Sequence, residues 1–250
     1  MSKNIFQHLN QRKTKGLKSF AVLIDPDKVT DNQSFINLIL SCKEHKVDYF
    51  FVGGSLLTTD NVSEIITTIK ENCKIPVVLF PGSNLQINEA ADAILFLSLI
   101  SGRNPDLLIG QHVIAAPLIK KYGLEVIPTG YILINSGNDT TVSYMSNTQP
   151  IPYDKPDIAA CTAIAGEMLG LQVIYMDAGS GAVQPISADM ISKVIKSINT
   201  PLIIGGGITT AEKAQTVLKA GADMIVVGNG IEKNPSLLIA ISETIQQMNH

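Results

Sequence analysis

Short apolar runs alternate with stretches of helical periodicity along most of the chain. Strands that alternate with helices predict a parallel sheet joined by crossover helices. Eight such runs in 250 residues predict a (β/α)8 barrel, a single domain spanning residues 1–250. The predicted strands are Phe20–Asp25, Asp48–Val52, Pro76–Phe80, Ala93–Leu97, Glu125–Ile127 running on towards Ile134, Gln172–Tyr175, Leu202–Ile204 and Met224–Val227.

Two connections interrupt this alternation. The segment from Pro81 to Ala91 is short and weakly periodic, which predicts a truncated helix after the third strand. The segment from Asn135 to Pro156 is polar and proline-containing, and it predicts a long loop over the top of the barrel that is a lid, an interface or an inert excursion. An open doubly wound sheet is the alternative fold, although it more often has fewer strands at this length.

The spacing of polar residues also predicts where two helices begin. Thr30 with Gln33, and Thr209 with Glu212, have the spacing of a capping box. In that motif the first side chain accepts a backbone N–H three residues on, so Thr30 and Thr209 are the predicted N-caps.

The composition of the chain indicates which kinds of partner it binds and in which compartment it is found. Hydrophobic residues make up 45% of the chain and charged residues 16%, which suits buried parallel strands and favours self-association into a homo-oligomer. The net charge of −3 argues against nucleic acid as a partner. No apolar run approaches the roughly 20 residues of a membrane span, and the N-terminus lacks a secretory leader. Three cysteines without metal-ligand spacing indicate buried thiols in a reducing compartment, so a cytoplasmic location is expected.

Two strand-like runs near the end of the chain each finish on glycines. Pro201–Ile204 is followed by Gly205–Gly207, and Met224–Val227 is followed by Gly228–Gly230, with Asn229 between two glycines. Parallel strands that end side by side on glycines expose backbone N–H groups, and such loops bind phosphate. The loops after strands seven and eight are the usual phosphate site of a (β/α)8 barrel. We therefore expect a small phosphorylated ligand.

Polar side chains at other predicted strand ends are candidates for chemistry, because catalytic groups of such barrels lie there. Asp25 ends the first strand, where it can hold Mg²⁺, act as a base or cap the next turn. Ser55 follows two glycines, where a hydroxyl can ligate a metal or a phosphate or merely form a turn. Tyr175, Asp177 and Ser180 lie close together after the sixth strand, so a phenol, a carboxylate and a hydroxyl can act on one ligand.

Six short motifs follow one another at the predicted strand ends. They are Leu-Ile-Asp-Pro-Asp-Lys at 23–28, Val-Gly-Gly-Ser at 52–55, Ser-Gly-Arg-Asn-Pro at 101–105, Tyr-Met-Asp-Ala-Gly-Ser-Gly-Ala at 175–182, Gly-Gly-Gly-Ile at 205–208 and Val-Gly-Asn-Gly at 227–230. In this order they resemble the geranylgeranylglyceryl phosphate synthase family. Many phosphate-binding barrels share any one glycine motif, whereas the ordered set is specific and covers nearly the whole chain.

The resemblance implies a modified TIM barrel and a Mg²⁺-dependent prenyltransferase. Such an enzyme joins a prenyl diphosphate, geranylgeranyl or a similar long chain, to the 3-hydroxyl of sn-glycerol 1-phosphate and so forms an ether-lipid precursor. By position, the resemblance implies Asp25 and Ser55 as Mg²⁺ ligands and Tyr175 and Asp177 as catalytic residues. The residues that it implies in binding sn-glycerol 1-phosphate are Tyr175, Met176, Asp177, Ala178, Gly179, Ser180 and Gly181, with Gly205, Gly206, Gly207, Gly228 and Asn229 around the phosphate.

Two positions depart from patterns in that family. The family motif usually has Glu where this chain has Asp177, and the shorter side chain moves the carboxylate back by about 1.5 Å. One bacterial branch has Lys two positions before the strand-one Asp, where this chain has Leu23. The motifs at 23–28 and 178–182 instead resemble the other branch, which includes archaeal members and often forms larger oligomers.

Two further functions remain open at this point. A phosphosugar isomerase would use the same phosphate loops, with Asp25 and Asp177 as an acid–base pair. The other alternative is a non-catalytic protein that binds a phosphate ligand. It stays open because this chain has Asp177 where the family motif usually has Glu. For a prenyl tail, the apolar residues at 107–109 and 114–118 are expected to line a groove, although ordinary helix packing explains them equally well.

Overall fold

A computed structural model describes residues 4–137 and 139–250. Its eight strands are β1 (Ser19–Ile24), β2 (Tyr49–Val52), β3 (Val77–Leu79), β4 (Ala93–Leu99), β5 (Glu125–Leu133), β6 (Val173–Asp177), β7 (Leu202–Gly205) and β8 (Met224–Val227). All pairs are parallel and follow the sequence order, and β1 also pairs with β8, which closes the barrel. The predicted (β/α)8 barrel is confirmed, and the alternative of an open sheet is wrong.

Helices surround the barrel except on one side. They are α1 (Ile5–Thr14), α2 (Asn32–Glu44), α3 (Val62–Asn72), α4 (Gln111–Tyr122), α5 (Thr141–Ser146), α6 (Pro156–Met168), α7 (Ala188–Ile195), α8 (Ala211–Lys219), α9 (Asn229–Lys233) and α10 (Ser236–Met248). Between β3 and β4 there is only a 3-10 turn, Asn84–Gln86, where the sequence predicts a truncated helix. A π-helical turn, Asp106–Gly110, leads into α4. None of the helices described is long and apolar enough to span a membrane.

Alternation along the strands creates two apolar layers. One set of side chains fills the barrel, including Tyr49, Phe51 and Val226. The other set, including Phe50 and Ile225, packs between the strands and the surrounding helices. Because successive strand residues point to opposite faces, runs of consecutive apolar residues are needed to supply both layers.

Helix α1 closes the amino-terminal end of the barrel. Ile5 on its apolar face packs against the residues that fill the barrel. The Glu125 carboxylate accepts the backbone N–H groups of Ile5 and Phe6 at 2.7 and 2.8 Å. Lys13 pairs with Asp223 at 2.9 Å. Two backbone N–H groups in the first turn of α1, which have no partner within the helix, therefore donate to a side chain of β5.

Helices α2 and α8 begin one residue later than the capping pattern predicts. Their N-caps are Asp31 and Thr210, each of which accepts a backbone N–H three residues on. The predictions for Thr30 and Thr209 are wrong because in each case the following residue is also a good cap.

The long connection after β5 is partly ordered. It contains α5 and a bridge that joins Ile134 to Ile151. Several residues of α5 line the cavity at the top of the barrel, as a lid would. Asn138, which belongs to the predicted loop, lies outside the described residues. The prediction of buried thiols is confirmed for Cys42 and Cys73 but is wrong for Cys161, which is exposed on α6.

Candidate active site

The carboxyl ends of the strands open into one cavity of about 650 Å³. Its two ends differ in chemistry. The polar end is formed by the loops after β1, β2, β6, β7 and β8, and includes Asp25, Ser55, Asp177, Gly206, Gly207, Gly228 and Asn229. The apolar arm extends beneath α4, and includes Ile94, Phe96, Leu107, Ala115 and Ile119.

The loop after β7 approaches β6 and its loop more closely than side chains permit. A Cβ on Gly205 would lie 2.3 Å from the Tyr175 hydroxyl. Gly206 has a φ of +82°, and a Cβ there would lie 2.8 Å from the backbone N of Gly179. Glycine adopts this φ without steric cost, unlike other residues. The glycines are therefore required for the two loops to form one wall of the polar end.

Asn229 and Lys28 connect three loops at the polar end. The Asn229 Nδ2 donates to Ser180 Oγ at 2.8 Å, and its Oδ1 accepts from Lys28 Nζ. Lys28 also lies 3.5 Å from Asp25 and 3.2 Å from Glu232. The loops after β1, β6 and β8 are thus joined by side chains.

Asp177 is the last residue of β6 and is only 7% exposed. Its Oδ2 accepts from the Tyr131 hydroxyl at 2.6 Å, and its Oδ1 accepts from the Gly179 N–H at 2.7 Å. Burial raises the pKa of Asp177, and these two hydrogen bonds partly oppose the rise. A raised pKa makes the carboxylate a better proton acceptor near neutral pH.

Three aromatic rings lie beside this carboxylate. Tyr131 and Tyr175 are partners in the β5–β6 register, and their rings stack with centroids 5.4 Å apart. Phe80 packs against both, at 5.8 and 5.1 Å. Burial raises the pKa of both tyrosines, and the nearby charge of Asp177 raises it further, so the phenols are neutral.

Asp25 and Ser55, the predicted Mg²⁺ ligands, both line the polar end. A Cβ on Gly54 would lie 3.4 Å from Asp25 Oδ1, so the loop after β2 passes beside the carboxylate. No group of three or more His, Cys, Asp or Glu side chains in the described ranges could hold a metal ion. Mg²⁺ that binds with a diphosphate needs only one or two protein carboxylates, so this pair of oxygen ligands suits the predicted role.

The loops after β1 and β2 are fixed by local hydrogen bonds. Asp27 accepts the backbone N–H and the hydroxyl of both Thr58 and Thr59. These bonds, with the Thr59 hydroxyl contributing most, lower the pKa of Asp27 to about 2. The buried Gln86 donates to the Gly54 carbonyl at 2.8 Å. The backbone around Asp25 and Ser55 is therefore held in place.

The apolar arm involves only one side of α4 and the turn before it. Leu107 and Ala115 line the arm, whereas Ile109 and Ile114 face solvent. The predicted lining segments are therefore only partly right, because a helix presents one face to a groove. His112 also lines the arm, and its pKa is lowered by burial, so its imidazole is neutral.

Most of the predicted site residues meet in this cavity. Asp25, Ser55, Tyr175, Asp177, Gly179, Ser180, Gly181, Gly206, Gly207, Gly228 and Asn229 all line it. Met176, Ala178 and Gly205 are not among the lining residues, and the first two have side chains buried between the barrel and the helices.

Two residues of the site were missed in the sequence. Tyr131 lies on β5, which the apolar pattern extends towards Ile134, but the sequence predicts no site residue on this strand. The available signal was the spacing of Thr129, Tyr131 and Leu133, which places their side chains on one face of that strand. Lys28 belongs to the motif at 23–28, but no local pattern there indicates its role.

A sequence profile of the PcrB family matches residues 11–246, a stretch that includes all eight strands. The chain belongs to the PcrB family. Its relatives include a protein of Spirosoma linguale named geranylgeranylglyceryl phosphate synthase, which is 58% identical over 241 residues and 96% of each chain. A Pyrococcus furiosus protein of the same name is 44% identical over 217 residues, covering 86% of this chain and 85% of that one. The predicted resemblance is confirmed.

A solved structure has the same fold as this chain. It is (S)-3-O-geranylgeranylglyceryl phosphate synthase from Thermoplasma acidophilum, in complex with its substrate sn-glycerol-1-phosphate. Its TM-score is 0.90 at 31% identity, and the match covers 98% of this chain and 99% of that one.

Proposed function

We propose that this chain transfers a geranylgeranyl or similar long prenyl group from its diphosphate to the 3-hydroxyl of sn-glycerol 1-phosphate. The observation that carries the proposal is the continuous cavity, which joins glycine-rich loops, a buried carboxylate and an apolar arm. The reaction needs these three features together. A phosphosugar isomerase would have no use for the apolar arm.

The acceptor binds at the polar end. The glycine loops after β7 and β8 offer backbone N–H groups to the phosphate of sn-glycerol 1-phosphate. Asn229, which is bonded to Ser180, extends this site towards β6. The glycerol then lies towards Tyr175 and Asp177. Fixing the phosphate in this way orients the 3-hydroxyl for attack.

Asp177 is the proton acceptor. The bond between the prenyl C1 and the diphosphate oxygen breaks, and diphosphate leaves with the electron pair. The 3-hydroxyl oxygen of glycerol forms the new ether bond to C1 and passes its proton to Asp177. The ring faces of Tyr131, Tyr175 and Phe80 favour positive charge that develops on the allylic carbon.

Asp25 and Ser55 would hold Mg²⁺ at the donor side of the polar end. The bound ion would neutralise charge on the leaving diphosphate. This role requires a carboxylate at position 25, and Asp25→Ala tests it. We expect turnover to fall by about a hundredfold or more, because one of the few protein ligands is lost. Near-normal turnover of this variant over a Mg²⁺ titration would contradict the metal role.

The reaction itself is tested with purified protein, Mg²⁺, geranylgeranyl diphosphate and radiolabelled sn-glycerol 1-phosphate. We expect an organic-extractable product from this acceptor and none from sn-glycerol 3-phosphate. Absence of product with either acceptor, despite phosphate-ligand binding, would favour a non-catalytic binding protein.

The role of Asp177 is tested with two variants in the same assay. Asp177→Asn keeps the size of the side chain but cannot accept the proton, so we expect turnover to fall by about a hundredfold or more. Asp177→Glu is the matched variant that retains a carboxylate. An unchanged rate in the Asn variant would show that another group accepts the proton.

We also infer that the protein acts in the cytoplasm as a homo-oligomer. Apolar side chains are exposed on and just after α6, where Ile158, Met168 and Leu169 are all more than 45% accessible, at 49%, 83% and 79%. Exposed apolar surface of this kind favours association between subunits. Sedimentation velocity measures the assembly directly, and a monomer at micromolar concentration would contradict this inference.

A further inference from the structure

Lys28 stands between the end of β1 and the start of α9. Its ammonium faces Asp25 at 3.5 Å and Glu232 at 3.2 Å, and it donates to Asn229 Oδ1. The contact with Asn229 is a hydrogen bond, whereas those with Asp25 and Glu232 are ion pairs. The side chain is 39% exposed and lines the cavity. Lys28 is therefore a paired cation that still has access to a ligand in the polar end.

Charge along the cavity does not by itself favour two anionic substrates. Among the described residues, the charged side chains that line it are the carboxylates of Asp25, Asp177 and Glu232 and the ammonium groups of Lys28 and Lys233. Carboxylates thus outnumber ammonium groups. The substrates of the proposed reaction carry a phosphate and a diphosphate, so a cation that contacts one of these anions has a large influence on its binding.

We propose that Lys28 binds the diphosphate of the prenyl donor by exchanging its ion pairs with Asp25 and Glu232 for diphosphate oxygens. This inference rests on the proposed function. The 3.5 Å separation from Asp25 is long for a charge-assisted hydrogen bond, and the side chain is partly exposed, so this ion pair can be exchanged for contact with a diphosphate oxygen. Lysine suits such an exchange because its donors rotate on a flexible stem.

The position of Asp25 indicates that Lys28 binds the diphosphate of the donor and not the phosphate of the acceptor. Asp25 marks the donor side, because it is the proposed ligand of the metal that accompanies the diphosphate. The phosphate of the acceptor instead lies against the backbone of the loops after β7 and β8, at Gly206, Gly207, Gly228 and Asn229, and Lys28 reaches this side only through the Asn229 side chain. When Lys28 turns to the diphosphate, Asn229 keeps its hydrogen bond to Ser180, so the acceptor site remains formed.

The test measures the binding of inorganic pyrophosphate, in the presence of Mg²⁺, to the full chain by isothermal titration calorimetry. Lys28→Met removes the charge and keeps the stem, and Lys28→Arg keeps the charge. Lys233→Met is the matched control, because it removes another ammonium from the same cavity. We expect the Kd of pyrophosphate to rise about tenfold to a hundredfold in Lys28→Met and by less than about fivefold in the other two variants. The Kd of sn-glycerol 1-phosphate should stay within about threefold in all of them.

Three outcomes would overturn the proposal. The first is an unchanged Kd of pyrophosphate in Lys28→Met. The second is an equal loss of affinity for pyrophosphate and sn-glycerol 1-phosphate, because Lys28 would then organise the loops instead of binding the donor. The third is a loss of affinity for sn-glycerol 1-phosphate alone.

Turnover of the wild-type chain, measured in parallel, separates this proposal from the proposed function. An active wild type together with normal pyrophosphate binding in Lys28→Met would overturn only the role of Lys28. A wild type that neither turns over prenyl diphosphate nor binds pyrophosphate would overturn both.

Discussion

At the scale of single residues, the pKa of Asp177 depends on its immediate neighbours. Tyr131 and the Gly179 N–H each donate to one of its carboxylate oxygens. Both bonds stabilise the ionised form, whereas burial favours the protonated form. The Asp177 carboxylate is thus anchored at both oxygens at the end of β6.

Removal of the Tyr131 hydroxyl should change the pH dependence of the reaction. Tyr131→Phe deletes a hydrogen bond that lowers the pKa of Asp177, so this pKa rises further. In the proposed mechanism the reaction needs ionised Asp177, so kcat/KM is expected to fall as the pH drops through the pKa of this residue. We expect the acid limb of kcat/KM to move to higher pH.

The pH profile of kcat/KM measures this shift, and the wild type is the reference. Asp177→Asn is the matched control, since it has no carboxyl to titrate and its residual activity should lack the acid limb. An acid limb at the same pH in wild type and Tyr131→Phe would mean that the limb belongs to another group.

At the scale of elements, the ends of strands decide where chemistry occurs. The apolar pattern locates the centres of all eight strands but ends β6 at Tyr175, whereas the strand continues to Asp177. Asp is uncommon in strands, so its propensity argues against the extension that β5 and β7 impose by pairing. The Tyr131–Asp177 contact could not be predicted, because it depends on this register between distant segments.

Gly206→Ala should weaken binding of sn-glycerol 1-phosphate. A Cβ at this position would meet the Gly179 N at 2.8 Å, and the φ of +82° is strained for alanine. We expect the Kd, measured by calorimetry, to rise about tenfold to a hundredfold as the loops after β6 and β7 separate. Gly123→Ala is the control, since its φ is +66° but nothing lies within 4 Å of the added Cβ. Equal affinities in both variants would show that close contact of the loops is unimportant.

Ala115→Phe should shorten the prenyl chain that the enzyme accepts. Ala115 is buried and lines the apolar arm, so a phenyl ring would occupy space needed by a long tail. We expect kcat/KM for geranylgeranyl diphosphate to fall by roughly ten- to a hundredfold relative to that for geranyl diphosphate.

The control for this change is Ala116→Phe, because Ala116 is the exposed neighbour on the same helix. Competition between the two donors in one reaction measures the preference. An unaltered preference in Ala115→Phe would place the tail elsewhere.

At the scale of the whole molecule, the two ends of the barrel have separate tasks. The carboxyl end carries the cavity and the candidate catalytic groups, whereas the amino end is closed by α1 and its contacts with Glu125 and Asp223. Substitutions at the two ends should therefore affect different properties.

Glu125→Ala should lower stability without affecting catalysis. It removes the acceptor of two backbone N–H groups at the start of α1. We expect the Tm to fall by roughly 3–10 °C, with kcat/KM unchanged. Calorimetry and turnover of one preparation measure both quantities, and Glu89→Ala, an exposed substitution, is the control. A loss of kcat/KM at unchanged Tm would show that the two ends are coupled.

The sequence was informative about the molecule as a whole because a parallel barrel repeats one simple pattern. Glycines and polar residues after the strands then located the polar end, since strand ends of such a barrel share one face. Lys28 and Gln86 could not be assigned in this way. Their roles depend on side-chain contacts across loops, to Asn229 and Gly54, that no local pattern encodes.

The short turn between β3 and β4 leaves the outer ring of helices open on one side. Leu85, at this opening, lines the cavity and is 94% exposed, so the apolar arm reaches the surface sideways. The tail of a lipid product can consequently reach solvent through this lateral opening. The residence time of the product should then grow with the apolar surface of its tail, because release must return that surface to water.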